Sequence, residues 1–121
     1  ILGERAPMYC TGLGKAMLAY LPASEREKYA SRKLKKFTEN TITTKEALLS
    51  DLEQVRLRGY SIDNMEHEYG VTCIGVPVFG HDKRVVAALS ISAPSLRFDE
   101  ATVAKNARRM KEILEPAQYV L

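Results

Sequence analysis

Two strand-like segments, 71–79 and 84–92, carry a thiol and two hydroxyls at alternating positions, which places hydrogen-bonding groups on one face of a hairpin. Side chains alternate along a strand, so Cys73 shares a face with Val71 and Gly75, and Ser90 and Ser92 share one with Val86 and Ala88. A turn at Gly80-His81-Asp82-Lys83 that contains no bulge sets Cys73 opposite Ser90 and Val71 opposite Ser92. The small residues Gly75 and Ala88 leave room above these groups, as a ligand cup requires. The plainer alternative is a half-buried sheet whose polar face meets water.

Other residues bear on the same chemistry. Thr11-Gly12-Leu13-Gly14 leads into a helix-forming run, and the first turn of a helix leaves N–H donors free for a carboxylate or phosphate. The same glycines would also let a helix pack closely on a sheet, and the Lys that follows lacks the spacing of a phosphate-binding P-loop. Asp63, at a strand end, either orients a ligand hydroxyl or caps the following turn. Glu66-His67-Glu68 has zinc-ligand side chains, but consecutive loop residues rarely make a coordination sphere, and no metal site is expected. A cysteine-nucleophile reading would use Cys73, His67 as base and the glycine-rich helix end as oxyanion donor. A thiol in an apolar strand is more simply inert, and no enzyme activity is expected. His81 reads as an exposed turn residue.

The elements that must position these groups follow from periodicity. The run 15–21 forms a short helix ended by Pro22. Ser24 with Glu27, and Thr43 with Glu46, are capping-box pairs for two further helices. The third helix places Leu48, Leu52 and Val55 on one face and stops at Gly59. Residues 60–63 form a short strand, and 64–70 a polar loop into the hairpin. After Pro94, Asp99 caps a last helix with Val103, Ala107, Met110 and Leu114 at helical spacing. The order is α+β: an antiparallel sheet flanked by helices, with helices over the Ile74/Leu89 face. Three strands are few for so much helix, so further strands are expected from outside this chain or from a partner.

Bulk composition narrows the class. The chain has 121 residues, enough for one core, with 45% hydrophobic residues. Its net charge of +3 balances 18 basic against 15 acidic residues, too even for a nucleic-acid groove. The run Arg32-Lys33-Leu34-Lys35-Lys36 reads as solvated surface. Cys10 and Cys73 have neither zinc-site nor disulfide-framework spacing, which fits a reducing cytoplasmic setting. No apolar run is long enough to span a bilayer, and no membrane partner is expected. The start Ile1-Leu2-Gly3-Glu4 has no initiator Met or signal pattern, so the numbering is expected to begin inside a longer product.

Taken in order, Tyr9-Cys10-Thr11-Gly12-Leu13-Gly14-Lys15-Ala16, Thr41-Ile42-Thr43, Arg58-Gly59-Tyr60-Ser61-Ile62-Asp63, Gly70-Val71-Thr72-Cys73-Ile74, Pro77-Val78-Phe79 and Ala88-Leu89-Ser90-Ile91-Ser92 resemble the effector-binding domain of the IclR family of bacterial transcriptional regulators. The resemblance covers nearly the whole chain. It implies a partial GAF-like domain over residues 1–121, lacking its first portion and a winged helix-turn-helix, through which alone operator DNA would be bound. It also implies a homodimer or tetramer, no cofactor, and a small organic acid as effector. Gly12 and Leu13 would offer backbone N–H groups to the carboxylate, while Asp63, Cys73, Ser90 and Ser92 would reach the ligand from the sheet. The family position of Leu13 also admits smaller residues, which would alter the pocket floor. Glu66 and Gly70 fit the family's loop over the site. An oligomerisation module without a working pocket is the alternative from another class.

Overall fold

The computed structural model describes residues 7–120, so the opening Ile1-Leu2-Gly3-Glu4 lies outside the described residues. Four helices, α1 (Gly12–Leu18), α2 (Ala23–Ala30), α3 (Lys45–Arg58) and α4 (Glu100–Leu114), surround three strands, β1 (Ser61–Asn64), β2 (Val71–Phe79) and β3 (Val85–Pro94). The strands form one antiparallel sheet in the order β1-β2-β3. The fold is α+β.

Helix ends follow capping chemistry, in two cases one or two residues away from the expected position. Thr11 caps α1, its hydroxyl accepting from the Gly14 N–H, and Asp99 caps α4 by accepting from Thr102. At α3 the cap is Thr44 rather than Thr43, with Ala47 N–H as donor. No capping box forms at Ser24, because α2 already begins at Ala23 behind Pro22, whose fixed backbone supplies the helix entry. Gly59 ends α3 in the left-handed conformation at φ 85°.

Two apolar clusters hold the layers together. Leu48, Leu52 and Val55 of α3 join Tyr9, Cys10, Leu18, Ala19, Ala30 and Leu34 behind α1. On the opposite side of the sheet, Val103, Ala107 and Met110 of α4 pack on Ile74 and Val76. Each such fully buried aliphatic side chain contributes about 1.5–3 kcal/mol. Helix α1 is thus central, pressed between the first cluster and the sheet. Both sheet faces are covered, whereas the sequence points to cover only on the Ile74/Leu89 face. Leu89 itself remains 37% exposed, while Ile91 on the same strand packs against the α4 cluster.

The hairpin departs from the expected register. Gly80 pairs with Arg84 around a three-residue turn in which Lys83 is left-handed at φ 65°, and a bulge lies between Val78 and Phe79, opposite Val86. Each irregularity moves the pairing by one residue. Together they set Cys73 opposite Ser92, Gly75 opposite Ser90 and Val71 opposite Pro94. Two single shifts preserve parity, so the thiol and both serines still share a face.

The two sheet edges differ. Pairing of Met65 N–H with Val71 C=O turns the backbone groups of Tyr60, Ile62 and Asn64 outward from β1. Arg58 Nε donates to Tyr60 C=O, Asn40 Nδ2 to Asn64 C=O, and Asn64 N–H donates to Glu66 Oε2. Side chains therefore guard that edge. On β3 the outward groups belong to Ala88, Ser90 and Ser92, and among the described residues no side chain or loop meets them.

Candidate functional site

The entrance of α1 lies on the sheet because glycines meet there. A Cβ on Gly12 would sit 3.0 Å from the Cβ of Cys73, and one on Gly75 would overlap the Gly12 carbonyl. Ser61 adds a hydrogen bond to that carbonyl from β1. Gly14 has a packing role too, since a Cβ there would collide with Met8. The close-packing reading of these glycines therefore holds.

Above this contact is a cavity of about 270 Å³. It is lined by Thr11, Gly12 and Leu13 from the helix entrance, Asp63 from β1, His67 and Glu68 from the loop, and Val71, Cys73, Ser90 and Ser92 from the hairpin. All six expected site residues, Gly12, Leu13, Asp63, Cys73, Ser90 and Ser92, meet here. The sequence reading did not assign Thr11, Glu68 or Val71 to this wall. The lining contains no Lys or Arg.

Asp63 serves in two places at once. Its Oδ1 accepts the Glu66 N–H at 2.8 Å, which caps the turn, while the residue stands directly across the strand pair from Cys73 and shares the cavity wall with it. It is 4% exposed, and burial raises its pKa above the usual carboxylate range, against the lowering effects of the Glu66 N–H and the Lys15 charge. Cys73 Sγ lies 3.0 Å from Ser92 Oγ. Burial and the Asp63 charge push this thiol up, opposed by the Ser92 contact. That is the reverse of an activated nucleophile. Both cysteines are free, and Cys10, buried in the core, is pushed up to about 12.

Of the acidic and histidine triplet, His67 and Glu68 face the cavity, whereas Glu66 turns away toward Lys15 at 2.9 Å. His67 packs edge-on against Phe37, with ring centroids 4.9 Å apart. Among the described residues no three His, Cys, Asp or Glu side chains gather as a metal would need. Lys15 is buried, which the helix-forming run alone does not indicate. Its signal was an isolated charge in the apolar run Ala16-Met17-Leu18-Ala19, which cannot be buried without a partner.

Larger clefts offer less convergent chemistry. One of about 420 Å³ is bounded by Tyr20, Phe79, Lys111 and Tyr119, and two of its polar groups are committed elsewhere: Lys111 donates to Arg58 C=O, and Gln118 bonds both Pro77 and Phe79. No helix among the described residues is long and apolar enough to cross a membrane.

Comparison with known proteins agrees with the geometry. Residues 1–118 match the family model described as bacterial transcriptional regulator IclR C-terminal. The chain is 48% identical over 100 residues to the HTH-type transcriptional regulator KdgR of Escherichia coli K12, spanning 82% of this chain and 38% of KdgR. Thermotoga maritima IclR superposes with a TM-score of 0.89 at 40% identity, over 95% of this chain and 47% of that one. The inducer-binding domain of the transcription factor PobR from Acinetobacter, a double mutant solved with 3-hydroxybenzoic acid, has a TM-score of 0.79 at 30% identity, over 94% of this chain and 68% of that one. The chain spans less than half the length of the curated relatives it matches. The hairpin, the glycine-rich helix entrance and the family match lead to one conclusion: this chain belongs to the IclR family of bacterial transcriptional regulators and corresponds to its C-terminal region.

Proposed function

We propose that this chain is the effector-sensing part of a bacterial transcriptional regulator, taking a small organic acid into the cavity between the α1 entrance and the hairpin. The observation that carries this reading is the convergence of Gly12, Leu13, Asp63, Cys73, Ser90 and Ser92, from four separate segments, on one cavity of about 270 Å³. That volume suits a small metabolite, below the range typical of drug-sized ligands. The N–H groups of Gly12 and Leu13 would meet the carboxylate, and Ser90, Ser92 and Asp63 the hydroxyl or carbonyl groups of the effector. A relative at 30% identity, PobR, was solved with an aromatic hydroxy acid, in keeping with this ligand class.

Binding would draw residues 64–70, already pinned at Glu66, against the ligand and shift the packing of a homodimer or tetramer in the cytoplasm. Operator DNA would be held by a winged helix-turn-helix elsewhere in the longer protein. Such a link requires an effector that distinguishes the DNA-competent from the incompetent state, typically by about 1–3 kcal/mol of coupling.

A thermal-shift screen of the full-length protein against small carboxylic acids, 3-hydroxybenzoate included, tests the reading. A specific acid should raise Tm, and Ser90→Ala and Asp63→Ala should each reduce the rise. The unguarded β3 edge favours a second reading, an assembly module. In that case Tm would rise with protein concentration and with no acid.

A further inference from the structure

Lys15 is the most deeply buried charge among the described residues, 0% exposed. An ammonium is tolerated there only when its charge and its donors are met. They are met by two segments distant in sequence. Nζ lies 2.9 Å from Asp51 Oδ2 on α3, and 2.9 and 3.0 Å from the two Glu66 oxygens on the loop beside the cavity.

Glu66 is where this grip enters the site. Its Oε2 accepts the Asn64 N–H at 3.0 Å, and its own N–H holds Asp63 Oδ1 at 2.8 Å. Its carbonyl accepts from Thr41 Oγ1, while the carbonyl of Met65, itself left-handed at φ 55°, accepts from Thr38 Oγ1. A non-glycine residue stays in that conformation only where its surroundings impose it. The chain of contacts runs from Lys15 through Glu66 to the Asp63 carboxyl, and Asp63 is the cross-strand neighbour of Cys73 in the cavity wall. Asp51 meets this path only at Lys15 and makes no hydrogen bond to Glu66 or Asp63.

We propose that Lys15 is a positioning residue for the cavity: by gripping Glu66 it fixes the loop that holds the Asp63 carboxyl beside Cys73. The inference deepens the effector-site reading and rests on it. Its test reads the cavity with no effector present, so failure of the grip and failure of acid sensing give separate results.

The test is alkylation of Cys73 in the full-length protein at mildly alkaline pH, with iodoacetate and iodoacetamide as probes, followed by peptide mass spectrometry. Both reagents form the same sulfur–carbon bond with loss of iodide and of the thiol proton, and they differ in charge. A general loosening of the fold speeds both alike. Removal of the Asp63 anion from beside the thiol favours the anionic reagent alone. The iodoacetate to iodoacetamide rate ratio should rise about threefold or more in Asp63→Asn, as expected for one partly screened unit charge. Glu66→Ala, which leaves Lys15 paired with Asp51, should raise it comparably and add nothing in the Asp63→Asn background. Lys15→Met/Asp51→Asn, which removes one charge of each sign and so preserves balance, should also raise it. Asp51→Ala should leave it unchanged. A wild-type ratio in Glu66→Ala or in the Lys15→Met/Asp51→Asn pair, or an equal rise in Asp51→Ala, overturns the proposal.

Discussion

Gly12 on α1 and Gly75 on β2 meet without a side chain between them, and the helix carbonyl lies where a Cβ of the strand residue would be. The contact sets how far the α1 entrance stands above the hairpin, and with it the depth of the cavity.

Gly75→Ala should therefore do two things. Overpacking of this kind costs about 1–3 kcal/mol, read as a lower urea midpoint at constant m. The displaced helix should also weaken any acid-dependent rise in Tm beyond what the lost stability explains. A variant as stable as the wild type would show that α1 can move away freely.

Thr41 anchors the loop beside the cavity from outside. Its hydroxyl accepts from the N–H groups of Phe37 and Thr38 and donates to Glu66 C=O. Thr41→Val keeps the shape and leaves those groups unsatisfied, which should cost about 1–3 kcal/mol. Hydrogen exchange should show faster exchange in residues 64–70, with α3 and α4 less affected.

Burial raises the pKa of Asp63 above the ordinary carboxylate value, so between those two values the folded chain holds a proton that the unfolded chain has released. The contribution of this group is fully present below the unfolded value and is lost as pH rises through the raised folded one. Glu66 is raised for the same leading reason, burial, with Lys15 opposing, and adds to the trend in the same direction. Urea midpoints taken from acidic to neutral pH should show that decline, and Asp63→Asn should flatten it. A carboxylate effector beside this group should bind more tightly as pH falls, because neutral Asp63 does not repel it. Titration of a confirmed acid at two pH values checks the second point.

The outward backbone of β3 should drive association. A long, uncharged edge strand is a ready template for pairing. The 121-residue chain should therefore show a concentration-dependent mass by light scattering. Leu89→Lys, at a half-exposed position on that strand, should shift it toward monomer with little change in fold. An unchanged mass distribution would place any association elsewhere.

Local signals carried most of the fold into the sequence. The faces Leu48-Leu52-Val55 and Val103-Ala107-Met110, the Gly59 stop and the Asp99 cap depend on residues within a turn or two of each other. The six cavity residues were legible through strand alternation together with family spacing. The caps at Thr44 and Pro22 were displaced by one or two residues because adjacent Thr residues compete and proline pre-sets the helix entry. The hairpin register was not legible, since Gly80-His81-Asp82-Lys83 fits a turn with or without a bulge and no residue pattern marks the extra Val86. The Lys15–Glu66–Asp51 group escaped for another reason. Its members lie 36 and 51 residues from Lys15, and no local pattern joins them.

The bulge at Val86 gives β3 one residue more than its pairing uses. A single deletion between 85 and 88 could be absorbed by straightening the strand there, leaving Ser90 and Ser92 opposite Gly75 and Cys73. A single insertion has no such outlet without a second bulge or a longer turn, and unrelieved it would turn both hydroxyls to the α4 side. Length variation in this strand is therefore asymmetric: losses are buffered, and gains rewrite the cavity.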